Sequence, residues 1–110
     1  MNDKQIELFK NVLEQMKEHF MCKLEDYVDD RSGFYYYVVQ YYLEGLKYVL
    51  TILDNIYCGD SINPDDMKWV ANDIFANPSF DVELIRKCNK DICSDEDCEA
   101  LIEELKTVKH

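Results

Sequence analysis

The chain has 110 residues, a formal net charge of −11 and 47% hydrophobic residues, so it is long enough to bury a core of its own. This apolar content excludes a disordered acidic tail, and three glycines are too few for the many turns of a small β-sandwich or barrel. We therefore predict an all-α fold, a helical bundle of about five helices in a single domain spanning 1–110. A long helical hairpin is expected over 1–57 and three short helices over 60–110.

The first helix is predicted from a regular apolar pattern. Asn2 and Asp3 can cap its N-terminus, and we expect it to end around Asp29–Gly33, where Ser32 and Gly33 break the pattern. Its apolar residues recur at steps of three and four, as in an amphipathic helix: Ile6, Phe9, Leu13, Met16, Phe20, Leu24 and Tyr27.

The second segment, 34–57, begins with a tyrosine-rich run whose composition is typical of a strand. Because no second run of this kind could pair with it, we predict a helix instead. Its main apolar face comprises Tyr35, Val39, Tyr42, Leu46, Val49, Leu50, Leu53 and Tyr57. The helix should end at Cys58-Gly59, with the glycine in the left-handed conformation that caps helices.

Three local signals predict the starts of the remaining helices. Asn63-Pro64 and Asn77-Pro78 each place a capping residue before a proline at the first helical position, and Ser94 with Asp97 forms a capping box. The residues expected on the buried sides are Met67, Val70, Ala71, Ile74, Phe75, Phe80, Leu84, Ile85, Cys88, Cys98, Leu101, Ile102, Leu105 and Val108.

The sequence contains no apolar run of the ~18 residues that a membrane span needs. Its start also lacks the basic region and apolar stretch of a signal peptide. We therefore expect a cytoplasmic protein that binds no membrane and whose five cysteines are mostly reduced thiols.

Neither a metal centre nor a catalytic site is predicted. Cys88, Cys93 and Cys98 are five residues apart, whereas structural zinc uses pairs two to four residues apart, so we expect packing thiols and no cofactor. His19 lies at the edge of the first helix's apolar face, and His110 is the last residue. Without a nucleophile and base or a phosphate-binding loop, the chain is predicted not to be an enzyme.

Seven of the eight tyrosines lie between residues 35 and 57. Three of them, Tyr37, Tyr41 and Tyr48, fall together on the side of the second helix opposite its main apolar face, with Ile52 beside them. Either this helix is central to the bundle, or the tyrosine stripe Tyr37/Tyr41/Tyr48 is an interface for a second copy or for another protein.

Between Asp91 and Glu104 there are seven acids and no base. In a helix this is one charge per ~3 Å, close to the ~3.4 Å spacing along a DNA strand. The stripe Asp95, Glu99 and Glu103, with Glu96 alongside, is therefore a candidate partner-binding surface. The alternative is a solvated helix face that maintains solubility.

Direct nucleic-acid binding is not expected, because acids flank the only basic cluster, Arg86, Lys87 and Lys90. We predict a non-catalytic protein whose acidic surface engages a basic, nucleic-acid-handling protein partner. Its size, helical character and charge resemble the property class of phage-type inhibitors, including DNA mimics and anti-CRISPR proteins. This resemblance is compositional and covers no motif. The alternatives are a homodimer formed through the tyrosine stripe, and a metal-binding module on the late cysteines.

Overall fold

A computed structural model describes residues 3–26, 36–76, 82–89 and 95–108. They form five helices: α1 (Asp3–Asp26), α2 (Tyr36–Cys58), α3 (Pro64–Ala76), α4 (Val82–Cys88) and α5 (Asp95–Val108). These ranges contain no strand, so the predicted all-α fold is confirmed. The tyrosine-rich run is helical from Tyr36 onwards.

The first two helices form an antiparallel hairpin, because Phe20 lies beside Tyr42 while Glu14 lies beside Tyr57. α3 packs against α2, α4 packs against α1, and α5 contacts α1, α3 and α4. Thus α1 touches three other helices, which explains why Leu8 and Val12 are fully buried in addition to the predicted apolar stripe.

The C-terminus of α2 ends as predicted. Gly59 has φ of +76° and donates its N–H to the Ile56 carbonyl at 3.2 Å, while the Asp60 N–H donates to Asn55 at 2.8 Å. These two bonds form the Schellman motif, which satisfies carbonyls at a helix end. Glycine adopts this backbone conformation without the steric cost of a Cβ atom.

The start of α3 is also confirmed. The Asn63 side chain accepts the Asp65 N–H at 2.8 Å, and the Asn63 carbonyl accepts the Met67 N–H at 3.1 Å. This is an N-cap followed by proline at the first helical position. The other predicted caps and the predicted end of α1 lie outside the described residues; these are Asn2, Asn77, Ser94 and Asp29–Gly33.

The predicted main apolar face of α2 is partly wrong. Leu50 is 45% exposed and Tyr57 is 64% exposed, whereas Ile52, expected on the opposite side, is fully buried. The observed buried face is centred on Gly45, Val49 and Ile52. It therefore lies between the two faces that the sequence suggested.

Gly45 lies on this buried face of α2 and has two aromatic side chains beside it. A Cβ atom at this position would lie 2.8 Å from Cζ of Phe20 and 3.0 Å from the Trp69 ring, so the missing side chain leaves room for both. Phe20 belongs to α1 and Trp69 to α3. Aromatic rings from two other helices therefore lie close to the α2 backbone at Gly45.

A buried asparagine joins α4 to α1. Asn89 is fully buried, accepts a hydrogen bond from Asn11 at 3.0 Å and donates to the carbonyls of Leu8 and Ile85 at 3.3 and 2.8 Å. A buried amide is tolerated when its polar atoms are bonded in this way. The buried sides of α3 and α5 agree with prediction, including Val70, Ile74, Cys98, Leu101, Ile102 and Leu105.

Candidate functional site

Two members of the tyrosine stripe contact α3. The Tyr48 ring stacks on Trp69 with centroids 4.9 Å apart. The Tyr41 hydroxyl donates to the Asp73 carboxylate, and its ring centroid is 6.1 Å from that of Trp69. Tyr37, in contrast, is 80% exposed. These contacts favour the interpretation in which the second apolar side of α2 packs inside the bundle.

The acidic stripe lies on α5. Glu96 is exposed, and Glu99 forms an ion pair with Arg86 of α4. The Glu103 carboxylate lies 3.4 Å from Nζ of Lys106. Asp95 is the first residue of α5, and its side chain lies outside the described part. Two stripe carboxylates are thus close to a base, so the surface is less negative than the sequence alone implies.

The sequence did not indicate a cleft of about 520 Å³ at the end of the bundle. It lies where the N-terminus of α1, the loop 59–63 and the start of α3 meet α5. Aliphatic side chains line it: Ile6, Ile56, Ile62 and Met67. Three carboxylates also line it: Asp3, Asp60 and Glu104. No lysine or arginine is among the described residues that line this cleft.

The cleft and the acidic stripe share α5: Glu104 lines the cleft, and Glu103 of the stripe precedes it, about 100° around the same helix. The volume is within the range of ligand pockets, about 300–1,000 Å³. Apolar walls with carboxylates and no base suit a group that is aliphatic along its length and cationic at its end. Lysine and arginine side chains have this character.

The cleft could not be predicted because its carboxylates come from distant parts of the chain. Asp3, Asp60 and Glu104 belong to separate segments and share no spacing signal. They meet only because α5 packs against both α1 and α3.

A further polar side chain, His19 of α1, lies where α1 meets α2 and α3. His19 is half-buried. Its ring is edge-on to the rings of Phe20 and Tyr42, with centroids 5.9 and 6.4 Å apart. Burial lowers the pKa of His19, as does the charge of Lys23, while Asp73 opposes the shift. This position at the edge of the apolar face is the one that we predicted, and none of these residues lines the cleft.

The late cysteines are packing residues where they are described. Cys98 is buried, and burial raises the pKa of the half-buried Cys88 thiol, which favours the protonated form. Cys93 lies outside the described residues. In 3–26, 36–76, 82–89 and 95–108, no three His, Cys, Asp or Glu side chains are grouped so that they could hold a metal ion.

Over the same parts of the chain, no helix has both the length and the hydrophobicity needed to cross a bilayer.

Comparisons with protein-family models, with curated proteins and with solved structures each returned no match.

Proposed function

We propose that this protein is a small non-catalytic inhibitor that binds a basic, nucleic-acid-handling protein through the cleft and the acidic stripe of α5. The observation that carries the proposal is the cleft itself. It combines aliphatic walls with three carboxylates in a chain of net charge −11.

The two parts of this surface have different roles. A field of one sign accelerates association with an oppositely charged partner, and the acids of α5 supply that field. Affinity depends more on a few desolvated anchors than on charges at a rim. In this proposal the anchor is a lysine or arginine of the partner, with its aliphatic stem against Ile56 and Ile62 and its cation beside Asp60 and Glu104.

The ion pairs of α5 do not prevent this use of the surface. The side chains of Arg86 and Glu99 are 34% and 50% exposed, and those of Lys106 and Glu103 are 50% and 71% exposed. Exposed pairs of this kind contribute about 0–1 kcal/mol, so a basic partner can replace them at little cost. Successive carboxylates of the stripe lie about 6 Å apart along the helix axis, which suits a groove that otherwise holds a phosphate backbone.

The first experiment captures the partner with the wild-type protein from the native host and measures binding kinetics with the purified partner. We expect Ile62→Arg to abolish binding, because its cation occupies the place of the partner's side chain. Ile62 lies in the loop before α3 and is only partly buried, so this substitution leaves the helices intact, as circular dichroism should verify.

Charge removal at the cleft needs a matched control. Asp60→Asn/Glu104→Gln should raise the dissociation constant by about tenfold or more, as the loss of two close charge pairs predicts. Glu25→Gln/Asp26→Asn removes the same charge from exposed positions at the end of α1 and should leave the constant within about threefold. Added nucleic acid should compete with the wild-type protein. Equal binding by both double variants and by Ile62→Arg, without competition, would contradict the proposal.

A further inference from the structure

The open side of the α1–α2 hairpin carries an apolar strip that the bundle does not cover. Its members are Met21, Leu43, Leu50 and Tyr57, which are 48%, 46%, 45% and 64% exposed. Leu43, Leu50 and Tyr57 are seven residues apart, so they lie nearly above one another along α2. This is the side of α2 away from α3, and we call these four residues the hairpin strip.

Contacts between the two helices fix the register of the hairpin strip. The Tyr57 hydroxyl donates to Glu14 at 2.7 Å, and Lys10 lies over the Tyr57 ring, 5.7 Å from its centroid. Further along the antiparallel pair, Phe20 packs against Tyr42 and Gly45, so the next residue, Met21 of α1, comes level with Leu43 of α2. The strip therefore spans both helices rather than one.

The charges around the hairpin strip are balanced, unlike those of the rest of the molecule. Between Lys10 and Met21 on α1, and between Leu43 and Tyr57 on α2, the helical spacing places six charged residues on this side. Lys10, Lys17 and Lys47 are basic, and Glu14, Glu18 and Asp54 are acidic. Glu14 also lies 3.1 Å from Lys17. A basic partner has no reason to choose this neutral face, whereas a second copy of a chain of net charge −11 can approach here without strong local repulsion.

The open side is also large enough for self-association. The 23 residues of α2 extend about 34 Å, and two packed helices are about 20 Å wide. A face of this length and width has an area of about 700 Å², which is comparable to the ~800 Å² that each partner buries in a standard interface. We propose that two copies of the chain dimerise through the hairpin strip, pairing two helical hairpins into a four-helix interface.

The dimer is expected to use residues other than those of the cleft. The hairpin strip and the residues that line the cleft have no member in common, so a dimer would present two acidic surfaces. A partner with two basic sites would then be bound with avidity.

The test is sedimentation velocity of the full chain over a range of concentrations. The wild type should form a dimer, and Leu43→Glu/Leu50→Glu should raise its dissociation constant by about 100-fold or more, because four leucines leave the interface. Leu43→Lys/Leu50→Lys should dissociate it as well, which shows that lost apolar contact rather than added negative charge is the cause.

The matched control is Tyr37→Glu/Thr51→Glu, which adds the same charge at exposed positions of α2 away from the hairpin strip. It should remain dimeric, and circular dichroism should show that all the variants are folded. A wild type that is monomeric at 100 μM, or a dimer that survives both leucine variants, overturns the proposal. Equal dissociation of the control and the leucine variants overturns it too.

The effect of ionic strength distinguishes this proposal from the proposed function. Raising the ionic strength screens repulsion between the two acidic chains, so the dimer should become tighter. Binding of a basic partner to the cleft should become weaker. Failure of either result leaves the other proposal standing.

Discussion

Gly45 determines how closely three helices meet. It lies on the buried face of α2, and Phe20 of α1 and Trp69 of α3 both pack close to its backbone. Glycine inside a helix costs about 1 kcal/mol relative to alanine. In this position the cost is offset by the packing of two aromatic rings against the α2 backbone.

Gly45→Ala should therefore destabilise the protein despite the better helix propensity of alanine. The new methyl group would lie 2.8 Å from Phe20 and 3.0 Å from Trp69, and overpacking of this kind costs typically about 1–3 kcal/mol. We expect a net loss of about 1 kcal/mol in urea unfolding. Thr51→Ala, at an exposed position of the same helix, is the control and should be neutral or slightly stabilising. A more stable Gly45→Ala protein would show that the rings move aside without cost.

His19 should make stability depend on pH. Its pKa is lowered in the folded protein, chiefly by burial and then by Lys23, from an ordinary value of 6.5. The unfolded chain therefore binds the proton first, and the free energy of unfolding falls as the pH drops below about 6.5. Denaturant titrations at pH 7.5, 6.5 and 5.5 should show this decline for the wild type. The decline should be shallower in His19→Gln, and identical slopes in the two proteins would contradict the expectation.

The aromatic contact between α2 and α3 should contribute measurably to the free energy of unfolding. Tyr48 stacks on Trp69 and is partly buried, whereas Tyr37 of the same helix is 80% exposed. Tyr48→Ala should cost about 2 kcal/mol, somewhat less than the loss of a fully buried aromatic ring. Tyr37→Ala should change stability by less than about 0.5 kcal/mol. Similar losses in both variants would place Tyr37 in the core instead.

The same contact changes the expectation for the tyrosine stripe as an interface. Because Tyr41 and Tyr48 already contact α3, the double variant Tyr41→Glu/Tyr48→Glu should lose stability rather than merely dissociate a dimer. Urea unfolding and sedimentation of this variant distinguish the two outcomes. A fully stable monomer derived from a wild-type dimer would restore the stripe as an interface.

Helices with a local start or stop signal could be predicted from the sequence. Asn63-Pro64 and Gly59 carry the hydrogen-bonding and backbone chemistry of their helix ends within a few residues, so no tertiary information was needed. The orientation of α2 could not be predicted in this way, because it is apolar around most of its circumference. Its buried face depends on Gly45, whose partners come from two other helices.

The net charge of the molecule can be counted from the sequence. The positions of the charges on the folded surface cannot be deduced in the same way. Residues 54–110 contain fourteen acids and six bases, against nine and six in residues 1–53. Folding pairs Arg86 with Glu99 and gathers Asp3, Asp60 and Glu104 around the cleft. Neither arrangement follows from spacing along the chain, because each depends on how α5 packs against the other helices.

The acidic stripe itself is expected to steer a basic partner towards the protein. Glu96→Lys/Glu99→Lys/Glu103→Lys should lower the association rate with the captured basic partner by about tenfold or more at low salt. It should also flatten the dependence of that rate on ionic strength, because the local field has reversed. Glu18→Lys/Glu25→Lys/Asp26→Lys makes the same change in net charge at exposed positions of α1. If both variants slow association equally, overall charge rather than the face of α5 is responsible, and if neither does, the stripe serves only solubility.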